Sequence, residues 1–326
     1  MKVLKRYALA LACAAAILTP GIAAAQTFPD RLVRIVVPYP AGGGVDGLAR
    51  ALGDGLAQIW KQPVIIENKP GASTMIGGES VARAPADGYT LLLTSDSSIT
   101  SNPFLFAKAK FDPVKDLAPI TQLIELNQIV VVHPSVPANT MAELVALSKE
   151  KKGALNYGSY GIGSQPHLLF EMLRAQGGAD IMQIPYRGIA PAITAAIAND
   201  VQMTLGGWSV TSGHIQSGKL KPIAISRKER LKELPNIPTL KEAGFAEVDP
   251  QSWFGLFATA GTPKAIIDKI QKDVATVFSN KDFLDRYIHA LAFGPVVSTP
   301  EDFAKFIAED LAYKGRLISV TGIKAE

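Results

Sequence analysis

Short runs of β-branched and apolar residues alternate with helix-period segments along this chain, and that alternation restricts it to few folds. Leu32 to Val37, Val64 to Glu67, Thr90 to Thr94, Ile129 to Val132, Ile181 to Tyr186, Val201 to Leu205, Pro222 to Ser226 and Trp253 to Thr259 read as strands. The helices between them have legible starts. Thr140-x-x-Glu143 is a capping box, and Thr262-Pro263 and Thr299-Pro300 each place a cap before a first-turn proline. Strand and helix in alternation predict an α/β fold with mainly parallel sheets flanked by helices, and ligands at the carboxyl ends of the strands.

Two segments echo each other. Arg34 to Ala49 reads RIVVPYPAGGGVDGLA, and Leu155 to Leu169 reads LNYGSYGIGSQPHLL. Each is a strand, a glycine-rich turn and a helix. The simplest organisation is two similar α/β lobes, each offering one such turn to a shared cleft. In the first turn, Gly42, Gly43 and Gly44 leave backbone N–H groups open at a helix start, where the amides and the helix dipole favour an anion. Tyr39 and Ala41 belong to the same turn. Asp46 reads first as a helix cap; it would touch an anionic ligand only through a water or a ligand amine. In the second turn, Ser159, Gly161, Gly163 and Ser164 combine hydroxyl and backbone donors, and His167 on the following helix reads as a packing or capping residue rather than a base. Two further polar segments follow strands. TSDSSITS, Thr94 to Ser101, brings Ser95 and Ser97, and Tyr186-Arg187-Gly188 brings an arginine suited to clamp a carboxylate.

Catalytic and cofactor patterns find little support. Gly42-x-Gly44-x-x-Gly47 with Glu67 is a formal dinucleotide fingerprint, but Pro38 and Pro40 before the glycines are not part of it. Ser159 is flanked two residues away by Tyr157 and Gly161, which is not a nucleophile elbow. His133, His167, His214 and His289 are scattered without metal-ligand spacing, and Ser217-Gly218-Lys219 lacks the upstream glycine of a P-loop. No enzyme, no metal and no cofactor is therefore expected.

The N-terminus reads as a Sec-type signal peptide, residues 1–25. Lys2, Lys5 and Arg6 precede the apolar run Tyr7 to Leu18, and Ala23-Ala24-Ala25 offers a small-residue cleavage site before Gln26. Export in an unfolded state argues against a cofactor loaded in the cytoplasm. The one cysteine, Cys13, falls inside this leader, without the context of a lipidation site, so the mature chain has no thiol and must rely on its core. The whole chain carries a net charge of +4; without the three basic residues of the leader it is +1. Near-neutrality gives no reason to expect nucleic acid or an anionic membrane surface as partner, and no later stretch is long and apolar enough to span a bilayer.

Several long motifs in fixed order give the chain a family resemblance. They are PYPAGGGVDGLAR, VIIENKPGA from Val64, ADGYTLLL from Ala86, NPFLF from Asn102, FDPVKDL from Phe111, NYGSYGIGSQPHL, IPYRG from Ile184, LPNIPTLKEAGF from Leu234 and SWFGLFATAGTP from Ser252. Together they resemble the substrate-binding proteins of tripartite tricarboxylate transporters, the Bug receptors. The resemblance implies a two-lobed type II periplasmic binding protein, a monomer, with residues 26–127 plus 252–326 forming one lobe and 128–251 the other. It also implies capture of a small carboxylated solute by the two glycine turns and its delivery to a membrane permease; the alternatives are a solute sensor that signals to a membrane partner and, after it, an exported NAD-type oxidoreductase. The sequence departs from the family at Val45, Ser73, Tyr160 and Gln202, of which Tyr160 and Gln202 bear on ligand preference in the central lobe.

Overall fold

The computed structural model of the protein describes residues 28–106, 111–227, 229–250 and 252–324. The leader assigned to residues 1–25, Cys13 included, lies outside the described residues. Eleven strands are present among the described residues: β1 (Val33–Val37), β2 (Val64–Asn68), β3 (Thr90–Ser95), β4 (Leu117–Glu125), β5 (Gln128–Val132), β6 (Leu155–Ser159), β7 (Ile181–Pro185), β8 (Met203–Gly207), β9 (Lys221–Ser226), β10 (Trp253–Thr259) and β11 (Gly294–Pro295). They form two sheets. One has the order β11-β4-β10-β3-β1-β2, the other β7-β6-β8-β5-β9.

β1 shows why these segments are strands inside a layered fold. Ile35, Val36 and Val37 are all fully buried, the continuous apolar run expected of a strand covered on both faces. Ile35 and Val37 face the helix Gly44–Trp60, whose Leu48, Leu52 and Leu56 recur at helical spacing on one buried stripe. Val36 faces the other way, into a cluster with Leu92, Trp253, Phe257 and Phe303. The second sheet has its own core, in which Val130 and Leu205 meet Phe170 and Leu173 of the helix Gln165–Gly177.

The two-sheet α/β architecture agrees with the sequence reading, but the sheets are mixed rather than mainly parallel. Parallel pairing is confined to β1–β2, β1–β3, β6–β7 and β6–β8, the pairs around the strands that carry the glycine turns. β10 and β5 pair antiparallel with every neighbour. The cause is the crossover. β4 ends at Glu125 and β5 begins at Gln128 in the other sheet, so the chain enters that sheet without turning back; β10 does the same on return. The two crossovers lie side by side, with the Leu126 N–H donating to Ser252 O at 2.9 Å.

Three local expectations are corrected. β8 begins at Met203, not Val201, because the N–H groups of Asp200 and Val201 close the end of the helix Ile189–Ala198 on Ala195 O. Thr262 does not cap a helix; its hydroxyl donates to Thr259 O, and Pro263 is the N-cap of Lys264–Phe278. β4 is absent from the sequence reading; it contains Pro119, a residue unfavourable inside a sheet, which the structure accommodates beside an irregularity in the β4–β10 register. The caps at Thr140 and Thr299 are as read: each hydroxyl accepts an N–H three residues on, from Glu143 and Asp302.

The C-terminal helix Pro300–Thr321 serves both sheets. Phe303 and Ile307 pack into the cluster of Trp253 and Phe257, while Leu317 packs into the core of the second sheet.

Candidate ligand-binding cleft

A cavity of about 620 Å3 opens between the sheets, within the size range of small-molecule sites. Four helices begin on its wall. Gly43, Gly44 and Val45 line it from the start of Gly44–Trp60, Gln165 from Gln165–Gly177, Gly188, Ile189 and Ala190 from Ile189–Ala198, and Gly207, Ser209 and Val210 from Trp208–Gln216. Each start leaves N–H groups without helical acceptors and contributes the positive end of a dipole. Among the lining residues there is no Asp or Glu, and Arg187 is the one Lys or Arg.

The first turn is rigidly built. Gly42 has φ +89°, a left-handed conformation open to glycine, and its N–H donates to Asp46 Oδ2 at 2.9 Å. Asp46 also accepts from Arg50 Nε at 3.0 Å and Asn68 Nδ2 at 2.9 Å. Burial works against its charge, but the bonds from Arg50, Gly42 and Asn68 outweigh it and hold the carboxyl below the usual range. Asp46 is thus a strut of the turn with its charge already matched, and it does not line the cavity. Tyr39, Ala41, Gly43 and Gly44 do line it, and Gly42 does not. The Tyr39 hydroxyl bonds Ser95 Oγ at 2.7 Å, and burial raises its pKa, so it remains a hydroxyl.

The second turn is more enclosed. Gly161 and Gly163 have φ +126° and +74°. The Gly163 N–H donates to His167 Nδ1 at 3.1 Å, the Ser164 hydroxyl to Gly161 O at 2.7 Å, and Gln183 Nε2 to Ser159 Oγ at 2.7 Å. Ser159, Gly161, Gly163, Ser164 and His167 therefore shape the turn from behind, while Tyr160 and Gln165 form the surface lining the cavity. The Tyr160 hydroxyl donates to Gln165 Oε1. Of the remaining sequence candidates, Ser95, Arg187 and Gly188 line the cavity. Ser97 lies one layer back against Gln165, and the Tyr186 N–H is bound to Ser159 O. Gln202, one of the family departures, pairs with Asn156 N and lies outside the lining. Glu67, the acid of the dinucleotide pattern, pairs with Arg34 and Lys69 at 3.2 Å and also lies outside it.

Sequence reasoning missed three parts of the wall. Gly206-Gly207-Trp208 is a further strand–glycine–helix turn whose signal, two glycines after a strand, was legible. The loop Ala72-Ser73-Thr74 has three successive non-glycine residues at φ +45°, +51° and +79° and is held by Asn102 Nδ2, which donates to Ser73 O at 2.7 Å. Phe254 and Phe293 meet edge to face, ring centroids 6.0 Å apart, and their position on the wall had no sequence signal.

Behind the wall lies a buried polar network. Asp96 and Lys314, both fully buried, pair at 3.1 Å. Asp96 also accepts from Ser252 Oγ at 2.9 Å and from Gln165 Nε2 at 2.6 Å, so the ion pair joins a crossover to a residue of the cleft. Asp310 nearby accepts from Thr100 Oγ1 at 2.6 Å and Trp253 Nε1 at 2.9 Å.

The family model for the tripartite tricarboxylate transporter family receptor matches residues 48–323. The chain belongs to this receptor family. The receptor is 32% identical over 312 residues to protein BugT of Bordetella pertussis, covering 94% of this chain and 95% of BugT. It is 33% identical over 307 residues to a UPF0065 protein of Cupriavidus necator, covering 93% of this chain and 91% of that relative. Among solved structures it resembles the periplasmic binding protein BugD (TM-score 0.82, 28% identity), a Rhodopseudomonas palustris protein with adipate (0.85, 27%) and MatC of that organism with bound malate (0.81, 27%). These cover 92%, 92% and 89% of the receptor, and the matches span 100% of each neighbour. The receptor thus has the fold of periplasmic solute-binding proteins, in a family whose neighbours bind carboxylates.

Proposed function

We propose that this chain is a periplasmic receptor, exported by residues 1–25, that closes two lobes on a small carboxylate-bearing solute and delivers it to a membrane permease of the tripartite type. The lobes are residues 26–127 with 252–326, and 128–251. The receptor acts as a monomer and performs no covalent chemistry. The observation that carries this reading is the convergence of four helix N-termini on one cavity without an acidic lining residue. Such a site stabilises negative charge through fixed dipoles and open N–H groups. The adipate and malate held by structural neighbours support a carboxylate as the charged group.

Capture starts at the amides of Gly43 and Gly44, with the Tyr39 and Ser95 hydroxyls beside them. Closure about the paired crossovers brings Arg187, Gly188 and Gly207 from the other lobe toward the bound anion and excludes water. Turn residues Ser159, Gly161, Gly163, Ser164 and His167 set the position of the Tyr160–Gln165 surface.

The test is thermal denaturation of residues 26–326 with a panel of carboxylates and with NAD. A carboxylate at one hundred times its Kd raises stability by about 2.7 kcal/mol. Gly43→Asp is the matched control. A Cβ at Gly43 meets only Pro40 O, at 4.0 Å, and its φ is an ordinary −82°, so the variant folds while placing a carboxylate in the anion site. Stabilisation lost in Gly43→Asp supports the reading. Stabilisation by NAD and by no carboxylate overturns it.

A further inference from the structure

We infer that the solute carries an apolar ring next to its carboxylate, as an aromatic or alicyclic acid does, rather than the short polar chain of a hydroxy- or dicarboxylic acid. The inference rests on the receptor reading and names the ligand class for that same site. A Cβ built at Gly44 would stand 3.7 Å from Phe293 Cζ and 3.8 Å from Phe254 Cε2. The space beside the Gly44 Cα, at the helix start whose amides would take the carboxylate, is thus within van der Waals reach of two ring edges. A carboxylate held by the Gly43 and Gly44 amides would have Phe254 and Phe293 as neighbours for the carbons attached to it.

Apolar side chains line other parts of the same cavity, alongside the Tyr39 and Ser95 hydroxyls. Leu126 lines the cavity from the crossover, and Ile189 and Val210 line it from the opposite sheet. Phe254 and Phe293 meet edge to face at 69°, a corner that accepts a flat body by further edge or stacked contact. A hydroxyl or a second carboxylate turned toward Phe254, Phe293 and Leu126 would find no hydrogen-bond partner in those side chains, which is unfavourable in a closed cleft. A ring there removes apolar surface from water on both walls. Gly44 belongs to the same logic, because any side chain would occupy the space between amides and rings.

The test is calorimetric titration of the mature protein at pH 7 with benzoate, cyclohexanecarboxylate, adipate, malate and citrate. Either ring acid is expected to bind at least tenfold more tightly than the three open-chain acids. Val210→Gln, a partly exposed position, is expected to weaken the ring acid at least fivefold; Phe293→Leu tests the opposite wall with the apolar volume retained. Equal or tighter binding of adipate, malate or citrate overturns the ring assignment and leaves the receptor reading standing. Ring-acid binding unaffected by both substitutions also overturns the assignment. If no carboxylate binds, the receptor reading fails and the ring assignment with it.

Discussion

His167 illustrates how one side chain can hold a turn without touching the cavity. Its Nδ1 accepts the Gly163 N–H, a role open only to an unprotonated nitrogen. Burial lowers its pKa, with Glu171 pulling it back up and Arg174 adding to the depression. The folded state therefore keeps the ring neutral where the unfolded chain would bind a proton. The resulting stability is present above the unfolded pKa of about 6.5 and is lost as pH falls through the lower folded value. Between pH 7 and 5 the wild-type Tm should fall more steeply than that of His167→Asn; parallel Tm profiles would show that His167 does not govern this window. The strained turn at Ser73 and Thr74 is a second single-residue feature. Left-handed backbone at non-glycine residues costs about 1–3 kcal/mol each, and Asn102, itself buried, is the side chain that holds the turn.

At the scale of elements, glycines set how closely layers approach. Gly255 in β10 has no room for a side chain: a Cβ would fall 2.4 Å from Phe303 Cζ and 3.1 Å from Phe257 Cε2. The C-terminal helix can lie on the sheet at this distance only because β10 is bare there. Gly255→Val is expected to destabilise by about 1–3 kcal/mol, seen as a lower urea midpoint, because the ring and helix must shift. Gly213, inside the helix Trp208–Gln216, has nothing within 4 Å of a built Cβ, so Gly213→Ala should stabilise by about 0.5–1 kcal/mol and raise the midpoint. The opposite signs separate a packing role from a general effect of glycine replacement. If Gly255→Val is neutral, the close approach of helix and sheet is not holding this layer together.

At the scale of the molecule, the Asp96–Lys314 pair links distant parts of the fold. Asp96 follows β3 in the first sheet, Lys314 belongs to the C-terminal helix, Gln165 begins a helix on the second sheet, and Ser252 lies on the return crossover. Burial drives the Asp96 pKa up and Lys314 opposes it. Lys314→Met removes one partner and leaves the other charge enclosed, which should cost about 3–5 kcal/mol in denaturant unfolding. Adding Asp96→Asn to that variant should recover most of the loss. An additive double variant would mean that the two groups do not depend on each other. Because Gln165 touches both Asp96 and the cavity, the single variant should also weaken carboxylate binding.

What is local in this protein was legible from its residues. Seven of the eight strand assignments fall within one residue of the observed ends, as at β5 with its run of β-branched side chains, and the caps at Thr140 and Thr299 follow from side chains three residues from their targets. The glycine turn at Gly43–Gly44 was legible for the same reason: a bare strand-to-helix turn exposes its own amides. Pairing direction at β5 and β10, the bare face at Gly255 and the aromatic corner of Phe254 and Phe293 were not legible. Each depends on which segments meet across the crossovers. The serines of TSDSSITS looked like a ligand surface, yet Asp96 within it became the buried partner of Lys314, because burial obliges a charge to find a counter-charge that local sequence does not display.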